Sequence, residues 1–442
     1  MVKLMDRNNA QEGKLGLKEI VAMGIGGMVG GGIFSVLGLS AELAGHAAPL
    51  AFAFGGLIAL LTGLSYSRLG LAFKSDGGSF TYLEHAFSHR NIAGMGGWLL
   101  LVGYIGTLAL YAFTFGMYGV AMLESGAHNP AIQRFLQSFI LALFLGVNLY
   151  SVKAAGRSEE AIVLVKVLIL SLFAIVGLFY IREDHILPLL NNGEGGVLMA
   201  AALIFVAYEG FELIPNAVNE MKNPGRDLHL GIMISIVVTI IIYILVSLVA
   251  VGNLSASEIS QYKESALAVA AKPFLGRAGF ALIALGALLS TASAINATLF
   301  GTARLAMVMG RDSALPKVFC HRERTRDIPW VSLVVITCVT LVFVNLCDLT
   351  MIAAFASSTF LLIFAIINLS AFRLRKRIGI GALSPLAGIM LCLGCWAVLC
   401  FYLWENNRLV LAWMAVFYVG TAIAELGYSE RKLALKWWNN MS

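Results

Sequence analysis

Three groups of residues in this 442-residue chain have the types and positions to do chemistry in an apolar setting. Lys166 lies in the run AIVLVKVLILSLFAIVGLF. Glu209 and Glu212 lie near the middle of IFVAYEGFELIPNAVNEMKNP. Burial favours the neutral form of an amine, so a buried lysine can exchange a proton near neutral pH. Buried carboxylates normally face a cavity or a partner.

The third group is the glycine-rich run GIGGMVGGGIF, which contains six glycines from Gly24 to Phe34. Glycine in a helix costs about 1 kcal/mol relative to alanine, so this density needs a reason. One interpretation is a locally unwound backbone. The other is close helix packing through Gly27 and Gly31, which have small-xxx-small spacing.

The elements that position these residues are membrane spans. The chain is 59% hydrophobic and 13% charged, whereas soluble proteins carry about a quarter charged residues. One span takes about 20 apolar residues, and we predict twelve spans with no separate soluble domain. Numbered in chain order, the predicted spans are 17–41, 49–72, 92–122, 132–151, 158–182, 197–220, 229–252, 277–307, 329–346, 349–371, 385–404 and 409–428.

The charge distribution predicts the orientation of the chain. With a cytoplasmic N-terminus, 24 of the 31 Lys and Arg residues fall in cytoplasmic segments, 6 in external loops and 1 inside a span. This is the bias of multi-pass membrane proteins. We therefore expect a plasma membrane protein with both termini in the cytoplasm and no nucleic-acid partner. The first apolar run has no small-residue cleavage pattern, so we expect no cleavable signal peptide.

The composition of spans 1 and 6 indicates that both are interrupted. Span 1 holds the glycine run, whereas span 6 holds two costly carboxylates and Pro215, which lacks an amide proton. The two spans begin successive sets of five, and because five is odd the second set is inverted. Broken helices at matching positions of inverted halves mark a midplane site that binds carboxylate and cationic groups. An α-amino acid has both groups.

Motifs spread over residues 15–320 resemble those of the amino acid–polyamine–organocation (APC) permeases. The similar segments are 26–34, 76–87, 207–212, 220–224, 265–276, 290–302, 310–312 and 315–317. The chain resembles most the small prokaryotic proton-coupled members of the ApcT type. The resemblance implies an all-α integral membrane protein with about 12 transmembrane helices. It further implies a LeuT-like five-plus-five inverted repeat, discontinuous helices 1 and 6, and peripheral helices 11 and 12.

The resemblance also implies which residues bind an amino acid. The backbone around the break in span 1 would hold the carboxylate, at Gly27, Met28, Val29, Gly30, Gly31 and Gly32. The broken middle of span 6 would bind the amino group, and Tyr208, Gly210, Phe211 and Glu212 would line the site. Glu209 departs from the small or apolar residue usual in the family. It either favours a cationic substrate or faces away and pairs with another residue.

Lys166 lies roughly 12 Å from the cytoplasmic end of span 5, so its side chain could snorkel outwards. The resemblance implies a different role, because the matching lysine of ApcT-type proteins occupies the place of a sodium ion. The oxygen acceptors implied for it are the carbonyl of Gly26 and the hydroxyl of Ser290, with Ser293 as a secondary candidate. We therefore expect proton coupling, no sodium requirement and no cofactor.

Other classes of protein fit the sequence less well. The chain has no motif for a nucleophile with its base, and its seven histidines lie at span ends or in loops, so we expect neither an enzyme nor a metal site. The six cysteines fall mostly within apolar spans and predict no disulfide framework. A proton-independent amino acid exchanger and a non-transporting amino acid sensor stay open. The oligomeric state and the amino acid carried stay open as well.

The predicted organisation has four parts. Residues 1–16 form a cytoplasmic segment, 17–182 the first five-helix repeat and 183–371 the inverted second repeat. Residues 372–442 contribute helices 11 and 12 and a cytoplasmic tail.

Overall fold

The computed structural model describes residues 15–75, 77–123, 129–150, 156–321 and 328–428. Most of the predicted N-terminal segment, Asp76 of the 76–87 motif and the tail beyond 428 lie outside these ranges. The domain boundaries at 16, 182 and 371 stay predictions.

Each predicted span coincides with one α-helix or with a broken helix. The α-helices are α1 (Leu17–Met28), α2 (Gly32–Ala44), α3 (Ala48–Ala72), α4 (Gly78–Ala86), α5 (Arg90–Leu123), α6 (Pro130–Tyr150), α7 (Gly156–Leu178), α8 (Gly193–Leu203), α9 (Pro224–Asn253), α10 (Ala256–Gln261), α11 (Ala266–Ala270), α12 (Lys272–Arg311), α13 (Trp330–Leu346), α14 (Leu349–Arg373), α15 (Arg375–Ile378), α16 (Leu383–Asn406) and α17 (Arg408–Tyr428). Span 1 is α1 with α2, and span 6 is α8 followed by the 3₁₀ helices Phe205–Tyr208 and Phe211–Glu220. Spans 2 to 5 are α3, α5, α6 and α7, and spans 7 to 12 are α9, α12, α13, α14, α16 and α17.

Length and composition agree with an all-helical membrane protein. In the described ranges, nine helical segments are long and apolar enough to cross a membrane, and the bent pair of span 6 adds a tenth. This count of ten is smaller than the twelve predicted spans for two reasons. Gly32–Ala72 counts as one 41-residue segment although it contains half of span 1 and all of span 2. Trp330–Leu346 has 17 residues and is shorter than the other spans.

Span 1 is interrupted where the glycine run predicts it. The helix α1 ends at Met28, and Val29 has the non-helical angles φ −77° and ψ 54°. The chain becomes helical again at Gly32. Of the two interpretations of the glycine run, unwinding is therefore correct, and close packing accompanies it, as the contacts below show.

Span 6 is interrupted over a longer stretch and bends by 51° between Leu203 and Phe205. Gly210 separates its two 3₁₀ helices and has φ +122°, a conformation that favours glycine. Pro215 lies inside the second 3₁₀ helix, where its missing amide proton removes a main-chain donor. The prediction that helices 1 and 6 are discontinuous is confirmed.

The helix α7 shows how a span separates its lipid face from its protein face. Leu164, Leu168 and Ile175 are exposed and follow helical spacing, which is the pattern of a surface towards lipid. Lys166 is 1% exposed and lies on the side that packs against α1, α9 and α12. Its side chain therefore does not extend along the lipid surface.

A short backbone pairing joins the two broken spans at the face of the bundle where α1 begins. The amide of Leu15 donates to Glu220 O at 2.8 Å, and the amide of Lys222 donates to Leu15 O at 2.8 Å. These bonds make an isolated parallel bridge between Leu15 and Met221. We call this end of the bundle the N-terminal face.

Candidate functional site between the broken helices

Polar side chains from spans 7 and 8 bind the carbonyl groups at the break in span 1. The hydroxyl of Ser290 donates to Val29 O at 2.6 Å and lies 3.0 Å from Gly30 O. The hydroxyl of Tyr243 lies 2.7 Å from Met28 O. Buried carbonyl groups need such partners because water does not reach them. The unwound segment is therefore held from α12 and α9.

The break in span 6 is held from spans 10 and 7. Ser357 of α14 donates its hydroxyl to Leu203 O at 2.6 Å and accepts from the amide of Val206 at 2.9 Å. One serine therefore satisfies a carbonyl and an amide on either side of the bend. The hydroxyl of Tyr243 also lies 2.9 Å from Ala207 O, so this tyrosine contacts both breaks.

The two breaks meet backbone to backbone. A Cβ atom added to Gly27 would lie 3.1 Å from the Cα of Gly210. One added to Gly32 would lie 2.7 Å from the Cα of Ala207. A side chain at Gly210 would clash with the main chain of Gly27. Glycine at these positions therefore allows a crossing that a larger residue would prevent.

One face of α5, made by residues at helical spacing, lies against both breaks. The hydroxyl of Tyr104 donates to Glu212 Oε1 at 3.3 Å, and Thr107 donates to Glu209 Oε2. Tyr111 packs on the unwound glycines, since a Cβ added to Gly31 would lie 2.6 Å from its ring. Span 3 therefore forms a third wall of the site.

The two carboxylates of span 6 have different surroundings. Glu212 is 1% exposed, and its Oε2 accepts from the amide of Gly210 at 2.7 Å while its Oε1 faces Tyr104. Glu209 is 3% exposed and accepts from Thr107. The sequence left open whether Glu209 selects a cationic substrate or pairs with another residue. In the structure its partner is the hydroxyl of Thr107, which carries no charge.

Two aromatic residues that flank Glu209 and Gly210 contact spans 2 and 10, and their predicted role in lining the site stays a prediction. Tyr208 donates its hydroxyl to Phe52 O of α3 at 2.7 Å. The ring of Phe211 packs against Tyr66 at 5.7 Å and against Phe364 at 5.3 Å between centroids. These contacts fix the two ends of the Glu209–Gly210 segment.

Lys166 reaches span 1 from α7. Its Nζ donates to Gly26 O at 2.7 Å. Ser290 lies next to this contact along span 1, although its hydroxyl donates to Val29 O and Gly30 O. Ser293 is half-buried on the same helix as Ser290. Lys166 and Ser290 therefore both bind carbonyl groups of span 1 between Gly26 and Gly30, and the predicted role of these residues in proton coupling stays a prediction.

Sequence reasoning named the glycines, the carboxylates and Lys166 but missed their supporting side chains. The missed residues are Tyr104, Thr107, Tyr111, Tyr243 and Ser357. A signal exists for the first three, since polar or amphipathic residues recur at i, i+3 and i+7 on one face of an apolar span.

A separate cavity of 450 Å³ lies at the face opposite the N-terminal face. Residues from the ends of α5, α12 and α14 and from the segment between α10 and α11 line it. That segment packs closely on α2, since a Cβ added to Gly38 would overlap Lys263 O. Lys263 Nζ also forms an ion pair with Glu42 Oε2 at 2.5 Å.

Fold and site together define a multi-pass membrane carrier built around two broken helices. A family model described as amino acid permease matches residues 15–424. The chain belongs to the amino acid permease family. Members of this family are permeases rather than enzymes, and the family implies a small-molecule substrate of the amino acid class.

Individual relatives agree over most of the chain. An uncharacterised protein of Methanocaldococcus jannaschii is 34% identical over 97% of each chain. The inner membrane transport protein YbaT of Escherichia coli is 32% identical over 90% of this chain and 93% of its own. A mutant manganese transporter of Eremococcus coleocola superposes with a TM-score of 0.59 over 93% of both chains at 11% identity. That structure shares the fold. The predicted closeness to ApcT-type members stays a prediction.

Proposed function

We propose that this protein carries amino acids across the cell membrane by proton symport, with Lys166 as the protonation site. The observation that supports it best is the contact of a fully buried amine with a carbonyl of the broken helix, Lys166 Nζ to Gly26 O at 2.7 Å. The positive-inside distribution supports an N-terminal face in the cytoplasm.

The site offers matching groups for both charged ends of an amino acid. The segment from Gly27 to Gly32, which contains the break between α1 and α2, supplies backbone amides for the carboxylate, in the way helix ends bind anions. The break in span 6, with carbonyls near Gly210 and the carboxylate of Glu212, accepts the amino group. Tyr208 and Phe211 position this break through their contacts with spans 2 and 10.

Coupling follows from the chemistry of the lysine side chain. A protonated amine carries three donors and attracts the Gly26 carbonyl, whereas the neutral amine binds it more weakly. Loss of the proton therefore loosens the link between α7 and α1. Because α1 is one half of span 1, this change biases the equilibrium between inward-facing and outward-facing states. The coupling ion is then a proton, and neither sodium nor a cofactor is needed.

The test is uptake of labelled amino acids into proteoliposomes with an imposed pH gradient. Wild-type protein and Lys18→Ala, a control at an exposed lysine of α1, should accumulate substrate, and replacing sodium by choline should change nothing. Lys166→Ala and Lys166→Arg should lose uphill uptake yet keep counterflow. Unchanged proton-driven accumulation in Lys166→Ala would overturn the proposal.

The same measurement identifies the alternatives. Counterflow by the wild type without any response to a pH gradient would identify an exchanger. Specific amino acid binding without any flux would identify a sensor.

A further inference from the structure

The proposed function assigns no role to the buried carboxylate of Glu209. Glu209 lies one residue before Gly210, at the point where span 6 crosses Gly27 of span 1. Its Oε2 accepts from the uncharged hydroxyl of Thr107. Glu212, three residues later, is already bound by the amide of Gly210 and faces the hydroxyl of Tyr104.

Within the described part of the chain, Glu209 interacts with a hydroxyl and with a second carboxylate. The described ranges bury five charged side chains, and one of these is basic. The five are Lys166, Glu209, Glu212, Asp227 and Glu425. Lys166 binds Gly26 O from α7, whereas Glu209 extends towards α5. The charged neighbour of Glu209 is Glu212, which has the same sign.

An ionised carboxylate at this depth is costly unless a cation or several donors compensate it. Two such groups three residues apart increase the cost by mutual repulsion. The α-amino group of a cargo supplies one positive charge, and Glu212 with the helix carbonyls accounts for that charge. A second positive charge would compensate Glu209.

The position of Glu209 lets it meet the cargo's side chain. Thr107, which holds it, lies one turn from Tyr111 on the same face of α5, and Tyr111 packs on Gly30 and Gly31. A molecule bound to the backbone of both breaks therefore lies beside the face of α5 to which Glu209 is hydrogen-bonded.

Resting on the proposed transport of amino acids, we propose that Glu209 and Thr107 form a subsite for a positively charged side chain. The preferred substrates are then basic amino acids such as arginine and lysine. Glu209 would recognise the charged side chain by ion pairing in a site shielded from water. There the pairing of opposite charges discriminates strongly between charged and neutral side chains.

The experiment compares substrates of similar size that differ in side-chain charge. Uptake and thermal stabilisation of purified protein are measured with arginine against citrulline, and with lysine against norleucine. We expect wild-type kcat/KM to be at least about 30-fold higher for the charged member of each pair. Glu209→Gln should reduce this ratio to near one, whereas Glu209→Asp should keep the preference.

Two further variants separate charge selection from general binding. Glu212→Gln should lower uptake of all four compounds by a similar factor and leave the ratios unchanged. Thr107→Val keeps the shape but removes the hydroxyl that orients Glu209, so it should lower the ratios by a smaller factor than Glu209→Gln. If Glu209→Gln does not fold, the test uses Thr107→Val and the wild-type ratios of kcat/KM between charged and neutral substrates.

Citrulline and norleucine carried as well as arginine and lysine would overturn this inference while leaving amino acid transport intact. The inference would also be overturned if Glu209→Gln left the ratio of kcat/KM for arginine to that for citrulline unchanged. Such a ratio would mean that residue 209 acts as a neutral carboxylic acid in the wild type. Absence of transport and of binding for every amino acid would instead refute the proposed function, and this inference with it.

Discussion

At the residue scale, one hydroxyl group contacts both interruptions. Tyr243 Oη lies 2.7 Å from Met28 O and 2.9 Å from Ala207 O. Its ring packs against Phe52 and Tyr208 at 5.6 and 5.2 Å between centroids. The ring therefore fixes the position of a group that holds the two unwound segments at a set separation.

Replacing Tyr243 by phenylalanine tests this role. The ring packing is kept, but two buried carbonyls lose a shared donor, which costs about 1 to 3 kcal/mol. We expect Tyr243→Phe to lower kcat/KM for amino acid uptake roughly 10-fold. Initial rates in proteoliposomes over a range of substrate concentrations provide the measurement.

The matched control is Tyr118→Phe, which removes another buried hydroxyl, 2.9 Å from Phe34 O. It should lower thermal stability by a similar amount but change uptake by less than about twofold, because that bond is made to the helical part of span 1 and joins no unwound segment to another. Equal losses of uptake in the two variants would show that Tyr243 acts on stability alone.

At the element scale, span 10 connects the break in span 6 to the last two helices. Ser357 binds Leu203 O and the amide of Val206. The next residue, Ser358, accepts from Trp396 Nε1 of α16 at 2.9 Å and lies 2.9 Å from the hydroxyl of Tyr418 on α17. Helices 11 and 12, implied to be peripheral, are thus hydrogen-bonded to the helix that holds the site.

Ser357→Ala should therefore weaken the break in span 6. It leaves one buried carbonyl and one buried amide without their shared partner, and we expect a loss of about 2 kcal/mol in stability with reduced substrate binding. Ser370→Ala is the control on the same helix, since its hydroxyl returns to Ile366 O of its own turn. Thermal unfolding in detergent, with and without substrate, measures both effects. Equal shifts for the two variants would contradict the role of Ser357.

The interruptions themselves could be predicted from sequence because they are local. The run of six glycines between Gly24 and Phe34 and the two carboxylates with Pro215 near the middle of span 6 are exceptions within their own segments. The supporting residues could not be predicted in the same way. Whether Thr107 or Ser357 faces a break depends on the rotation of α5 and α14 about their axes, and packing with other helices sets that rotation. Ser290 illustrates the same limit, because the sequence named its hydroxyl as an acceptor for Lys166 but did not predict its donation to Val29 O and Gly30 O.

At the scale of the whole molecule, span 1 is attached differently at its two ends. At the N-terminal face, Leu15 pairs with the backbone around Met221 and so ties α1 to the end of span 6. At the opposite face, α2 contacts the segment between α10 and α11 through Glu42 and Lys263. The partly exposed ion pair adds little to this contact, so the close packing of Gly38 on Lys263 O sets most of the cost of separating it. We infer that the first attachment persists during transport and that the second opens.

Two cysteine pairs in a background without the native cysteines test this difference. A crosslink between Glu42→Cys and Lys263→Cys should block uptake, because it holds α2 against the segment that must leave, and reduction should restore uptake. A crosslink between Leu15→Cys and Met221→Cys should leave most of the uptake intact, since these two segments move together. Uptake before and after oxidation, and again after a reducing agent, gives the measurement. The Leu15–Met221 crosslink could instead inhibit uptake as strongly as the Glu42–Lys263 crosslink. That result would mean that spans 1 and 6 separate at the N-terminal face, and it would refute their motion as one unit.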